Sequence, residues 1–201
     1  VPFTGPALLT RLADPCVTPA ELADALRLDG AARRIDFLAG LIQRAETWAE
    51  GATSRIVIAR SVEERWEFSP GSVISSLRLS YRDVRSVESV QSRKASEDPA
   101  TLDDSEWSLV GSDVLLSDSA AGLSYGPWNI AWDPAISTLQ YVATYTAGIA
   151  ESFAEAQGIP DAEHHRAAII AIASMMFEDP KLTPGEAGRS AGIGGMLAAA
   201  S

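Results

Sequence analysis

The chain has 201 residues, 46% of them apolar, and a formal net charge of −11. This is enough apolar material for a substantial core, at a length near the upper edge of one domain, while the acidic balance excludes a sequence-independent nucleic-acid clamp, which needs Lys and Arg to displace counterions from phosphates. The single cysteine, Cys16, excludes an internal disulfide and, with no second thiol or nearby histidine, a cysteine-based metal site; a reducing compartment fits.

Residues 1–16 open with VPFTGPALLTRLADP, carry Pro2, Gly5 and Pro6, and lack the basic start and apolar run of a secretion signal; they read as an N-terminal arm. Thr18-Pro19-Ala20-Glu21 supplies an N-cap threonine, a proline at the first helical position and a glutamate three residues after the cap, which predicts a short helix within 18–28, ended by Asp29-Gly30. In 34–51 the apolar residues Ile35, Leu38, Leu41, Ile42, Ala45, Trp48 and Ala49 follow helical spacing, with Arg44, Glu46 and Glu50 left for solvent and Gly51 as the stop.

The period then changes, giving a β-rich stretch over about 56–146. Val62, Glu64, Trp66 and Phe68 share one face of a strand, and Val73, Ser75, Leu77, Leu79 and Tyr81 one face of the next, with Ser69-Pro70-Gly71 as the turn between. In VRSVESVQS the valines 84, 87 and 90 recur every three residues, which reads as a bulged strand. Ser92 to Glu106 is an exposed loop or a hairpin extension, and short strands resume near Trp107–Val110, Val114–Ser117, Trp128–Trp132 and Leu139–Tyr145.

Ile159-Pro160-Asp161 starts the most apolar helix, 161–178. Its residues Ile169, Ile170, Ile172, Ala173, Met176 and Phe177 cover more than one stripe, so part of their cover is expected from another subunit, with Ile169, Ile172 and Met176 as packing residues. Its longest apolar run, Ala167 to Phe177, is far short of the roughly 20 residues that cross a bilayer. Residues 180–201 are rich in Gly, Ala and Pro and read as a flexible tail with one apolar patch, Ile193, Met196 and Leu197. The fold class is therefore α+β: three main helices with a β-rich insertion between the second and the last, in a soluble protein made inside the cell.

Chemistry-bearing patterns are sparse. Gly122-Leu-Ser-Tyr-Gly126 matches the nucleophile elbow of serine hydrolases, but Pro127-Trp128-Asn129 follows where a helix should, so a glycine-flanked turn is the simpler reading of Ser124. Asp161 and His165 lie four apart on one helical face and could hold a metal with further ligands; acidic residues compensating the helix dipole explain the pattern more simply. Asp103, Asp104 and Glu106 have nothing to desolvate them and separate their pKa values. Gly192-Ile-Gly-Gly195 lacks the lysine and hydroxyl of a phosphate loop. The five tryptophans lack the interleaved basic residues of a single-strand binder and read as core or interface anchors.

The order of elements is more telling. VTPAELADALRLD, IDFLAGLIQRAETWAEGATSR, a strand pair from RWEF, LRLSYRDVRSVESV, YVATYTAGIAE and IPDAEHHRAAIIAIASMMFED together, from Val17 to Asp179, resemble the head-tail connector (adaptor, head-completion) proteins of long-tailed DNA bacteriophages and gene transfer agents. The resemblance implies a structural virion protein without enzymatic activity or cofactor, twelve copies forming a ring between the capsid portal protein and a stopper or tail-completion protein, with no membrane involved. DNA would pass through the ring without sequence-specific binding, and the chain would be made in the bacterial host's cytoplasm. It also implies that Gly148, at the end of Tyr145-Thr-Ala-Gly, turns the chain from sheet to helix. The Gly/Ala-rich tail departs from the family, and from its own apolar patch Ile193, Met196 and Leu197 are expected to contact the portal or a neighbouring subunit. A stopper or tail terminator remains the alternative, expected to be mainly β and to lack the three helices, and a hydrolase built on Ser124 a remote one.

Overall fold

A computed structural model describes residues 3–11, 15–30, 34–68, 74–94, 98–117 and 139–190. Ser124, the strand expected at Trp128–Trp132, the turn Ser69-Pro70-Gly71, Val73, Gly192–Gly195 and Ile193, Met196 and Leu197 lie outside the described residues. Helices and antiparallel strands are mixed, and they form two compact units: residues 1–11 with 60–147, and residues 12–59 with 148–201.

The second unit is helical. Its first helix, α1 (Pro19–Ala25), begins at the predicted box: the Thr18 hydroxyl accepts from the Glu21 N–H at 3.2 Å, and the Glu21 carboxylate accepts from the Thr18 N–H at 2.8 Å. It ends where Arg27 adopts a left-handed backbone, φ 53°. The second helix, α2 (Ile35–Thr53), runs past Gly51 and stops at left-handed Ser54. Glu46 and Glu50 are buried rather than solvated, because α2 packs against α1, against α4 (Pro160–Glu178) and against α5 (Pro184–Ser190), so that more than one stripe is covered. A single turn, α3 (Phe153–Ala156), capped by Ser152, precedes α4.

Helix α5 revises the reading of 180–201 as a tail. Thr183-Pro184-Gly185-Glu186 forms the same box as in α1: the Glu186 carboxylate accepts from the Thr183 N–H at 2.9 Å and hydroxyl at 2.7 Å, and these bonds, the backbone one first, hold its pKa below the ordinary value. Ala187 and Gly188 are buried, and a Cβ on Gly188 would stand 2.5 Å from the Trp48 ring. Only a glycine face lets α5 lie on that indole.

The first unit holds two antiparallel sheets. Strand β1 (Phe3–Arg11) lies at the edge of a five-stranded sheet, beside β2 (Arg60–Phe68), then β8 (Leu139–Ala147), β4 (Val84–Lys94) and the two-residue β5 (Ala100–Thr101). The sheet is thus not wholly an insertion between helices, since the segment read as an arm contributes a strand. Val84, Val87 and Val90 sit in a strand with register breaks between Val84 and Ser86 and between Val87 and Ser89, so the spacing of three is a bulged strand as read. Residues 92–106 extend the hairpin in part, with β5 pairing back onto Gln91 and Ser92.

Strand β3 (Ser76–Arg78) does not pair with β2, as the sequence suggested, but joins β7 (Asp113–Leu116) and β6 (Trp107–Val110) in a three-stranded sheet. Leu77, Leu79 and Tyr81 are buried as expected, whereas Ser75 is exposed and Ile74 takes the buried place. In β2, Val62, Glu64 and Trp66 are buried opposite Tyr145, Ala143 and Tyr141 of β8.

Replacing Thr18 with Ala removes the α1 cap and is expected to lower unfolding free energy by about 1 kcal/mol in urea titration, with an unchanged m-value.

Candidate functional site

The chain leaves the helical unit after Ala59 and returns at Gly148. There the Ala59 N–H donates to the Ala150 carbonyl at 2.7 Å, Ile149 N–H to Ile56 at 2.9 Å and Ala150 N–H to Val57 at 2.9 Å, so the outgoing and incoming segments are laced together. Gly148 is buried, and a Cβ on it would lie 2.4 Å from the Ala59 Cα. The neighbour is backbone and cannot swing aside. Gly148 is required for close approach.

Arg166 of α4 fastens the helical unit. Its guanidinium pairs with Glu21 on α1, donates from Nε to the Cys16 carbonyl at 2.7 Å and lies 4.7 Å from the centre of the Phe153 ring. One side chain thereby ties α1 and α3 to α4. On the same helix Asp161 pairs with Arg55 at 3.1 Å, while its carbonyl oxygen meets the His165 Nδ1 at 2.8 Å. Asp161 and His165 therefore do not converge as side-chain ligands, and among the described residues no three His, Cys, Asp or Glu groups are placed to hold a metal ion.

Ile169, Ile172 and Met176 are fully or almost fully buried within the chain, in one cluster with Leu22, Leu38, Ile42 and Val57. The protomer covers them itself, so they are core residues and leave no side-chain surface for a sister molecule; Ile170, Met175 and Phe177 are only partly buried against the same cluster.

In the sheet unit, Glu64 is buried and accepts from the Tyr145 hydroxyl and from the Ser80 N–H at 2.9 and 3.2 Å. The small Ala143 directly opposite leaves room for the carboxylate to reach Tyr145 on the diagonal. Burial raises the Glu64 pKa against the lowering effect of these bonds, and burial first, then the Glu64 charge and hydrogen bond, pushes Tyr145 well above the usual phenol range. Tyr145 therefore stays a donor at neutral pH. Since Ser80 follows β3, the carboxylate joins the two sheets of the unit. In contrast, Glu106 closes a turn by accepting from the Asp103 N–H at 2.9 Å, with Asp103 and Asp104 exposed.

Large apolar side chains are exposed at few described positions: Ile35 (48%) and Phe37 (51%) on α2, Val110 (58%) on β6 and Leu115 (40%) on β7. Phe37 meets Phe177 of α4 edge to face at 6.1 Å, with Arg34 5.9 Å from the Phe177 centroid. Among the described tryptophans, Trp48 packs on α5 and Trp66 is buried in the sheet. No sequence pattern had marked Arg166 or Phe37; only burial and pairing distinguish them.

No protein-family model matches the chain, and no curated protein sequence does. Solved structures do. The fold is that of proteins in the necks of gene transfer agent particles. A chain in the neck of an empty gene transfer agent particle, computed with C6 symmetry, aligns at a TM-score of 0.65 and 16% identity over 98% of this chain and 95% of that one. A chain in the neck of the native particle, computed with C12 symmetry, aligns at 0.57 and 19% identity over 87% and 84%. A chain from the virion of the native particle aligns at 0.55 and 18% identity over the same shares. The likeness spans both units. Among the described residues no helix is long and apolar enough to cross a membrane.

Two pairs of substitutions test the geometry. Gly148→Ala is expected to destabilise by about 3 kcal/mol or more by overpacking against backbone, while Gly51→Ala, whose Cβ meets nothing within 4 Å, should stabilise by about 0.5–1 kcal/mol; urea titration of both reads the contrast. The second concerns Glu64. Its folded pKa lies above 4.5, so the folded chain takes up the proton first as pH falls, and stability declines as pH rises from 4.5 through the raised value. Thermal unfolding of Glu64→Gln across that window should lack this component, whereas Tyr145→Phe should lose about 1.5–3 kcal/mol at neutral pH and less where Glu64 is protonated.

Proposed function

We propose that this chain is a structural neck protein of a gene transfer agent or tailed-phage particle, in which copies of it form a ring between the capsid portal and the tail. The observation that carries the reading is the alignment of almost the whole chain with a neck protein, at 98% and 95% of the two lengths. The C6 and C12 symmetries of those necks favour a homo-oligomeric ring, and twelve copies is the number the sequence resemblance implies. The adaptor position next to the portal is favoured over a stopper or tail terminator by α1, α2 and α4, because those alternatives would be built mainly of strands. No reaction is assigned to the chain.

The charge of −11 suits a conduit. An acidic wall repels the phosphates of a passing duplex, where a basic wall would hold it and make release depend on salt. DNA therefore crosses the ring without being read. The segment after α5 carries Ile193, Met196 and Leu197, proposed as anchors on the portal or on a neighbouring copy.

Electron microscopy of particles made without this chain is expected to show heads that lose DNA and fail to join tails; normal, tailed, filled particles would refute the proposal. A chain truncated after Ser190 keeps α5 and should fold normally while attaching more weakly to heads.

A further inference from the structure

A closed ring of identical copies needs two different faces on each protomer, one for the preceding copy and one for the next. Each unit offers one candidate. On the helical unit, Phe37 and Phe177 form an aromatic edge at the start of α2, flanked by Arg34 and Asp36, both exposed. On the sheet unit, the outward side of the three-stranded sheet carries Ser76, Arg78, Ser108, Val110, Asp113 and Leu115, because its other side turns Leu77, Val114 and Leu116 into the core. Val110 and Leu115 are diagonal neighbours there, and Arg78 stands opposite Asp113.

Building on the ring reading, we propose that the Phe37–Phe177 edge of one copy docks on the Val110–Leu115 face of the next. An aromatic edge on a flat aliphatic sheet face is a favourable apolar contact, and both aromatics are large contributors per residue at interfaces. Charge fits the same arrangement: each apolar patch has a cation and an anion beside it, Arg34 and Asp36 on one and Arg78 and Asp113 on the other, and in the proposed contact Arg34 meets Asp113 and Asp36 meets Arg78. The contact is heterologous, so no residue faces its own copy. Ions at such a rim fix orientation and partner choice more than affinity. The Phe37 ring is the affinity anchor.

The test adds one exposed cysteine to the full chain, with buried Cys16 left in place. Asp36→Cys and Arg78→Cys proteins, mixed and treated with a short bis-maleimide, are expected to give a covalent dimer that neither gives alone. A chain carrying both substitutions should give a ladder of multimers. Phe37→Glu should abolish assembly of the wild-type ring in sedimentation while its thermal unfolding stays near wild type. Rings that form without the mixed cross-link, or either variant dimerising by itself, would overturn this interface and leave the ring reading intact. A wild-type chain that stays monomeric at every concentration would sink the ring reading and this interface with it.

Discussion

The architecture turns on a close approach of two backbone segments. Ala59 and Gly148 mark where the chain leaves the helices for the sheets and where it comes back, and the lacing of Ile56 to Ala59 with Ile149 and Ala150 holds both ends of that excursion at one place. A long insertion closed at its base loses little more entropy than a short one, because loop closure grows only as the logarithm of length. The sheet unit can therefore be large without loosening the helices. That geometry depends on a position with no side chain, and Gly148 supplies it.

The helical half was largely legible from the sequence because its signals are local. A threonine, a proline and a glutamate fix the start of α1, and a spacing of three and four fixes the buried side of α2. The same grammar marks α5 in Thr183-Pro184-Gly185-Glu186, but two glycines within one short helix outweigh the cap in any local reading. Their reason is tertiary, since they make the face that receives Trp48. Gly51 misled in the opposite direction: a glycine near a helix end invites a stop, yet the helix runs on because Thr53 is buried and donates its hydroxyl to the Ala49 carbonyl at 2.8 Å. Local propensity yields to packing in both cases.

The sheet half was legible in its strands and not in its partners. Alternation shows which residues share a face, and it placed Glu64 with Val62 and Trp66, but pairing is a long-range property: β2 meets β1 and β8, and β3 goes to a separate sheet. Nor does alternation say why a carboxylate belongs on an apolar face. The answer needs the hydroxyl of Tyr145, 81 residues away, and the N–H of Ser80, which together give the carboxylate two donors. A buried, satisfied acid of this kind disfavours other registers, since a shift of one residue would leave it unpartnered in the core or send it to the opposite face. In the α4 helix, spacing shows that cover is needed but not which chain supplies it. Its apolar residues did need cover, and the protomer provides it.

Self-coverage of α4 constrains how a neck could be built. A subunit whose apolar helix needed sister molecules would expose it before assembly and would associate wherever it met a copy. Here Ile169, Ile172 and Met176 are closed off within one chain, and few large apolar side chains remain outside. With 27 acidic against 16 basic residues, free copies repel one another at distances up to the screening length of about 8–10 Å. Such a chain is suited to stay apart when dilute and to form a ring most readily where another surface holds the copies close, because a template raises their effective concentration without strengthening any single contact. On the proposed reading the portal is that surface. Weak lateral contacts are then an advantage, since rings that close away from a head would remove subunits from assembly.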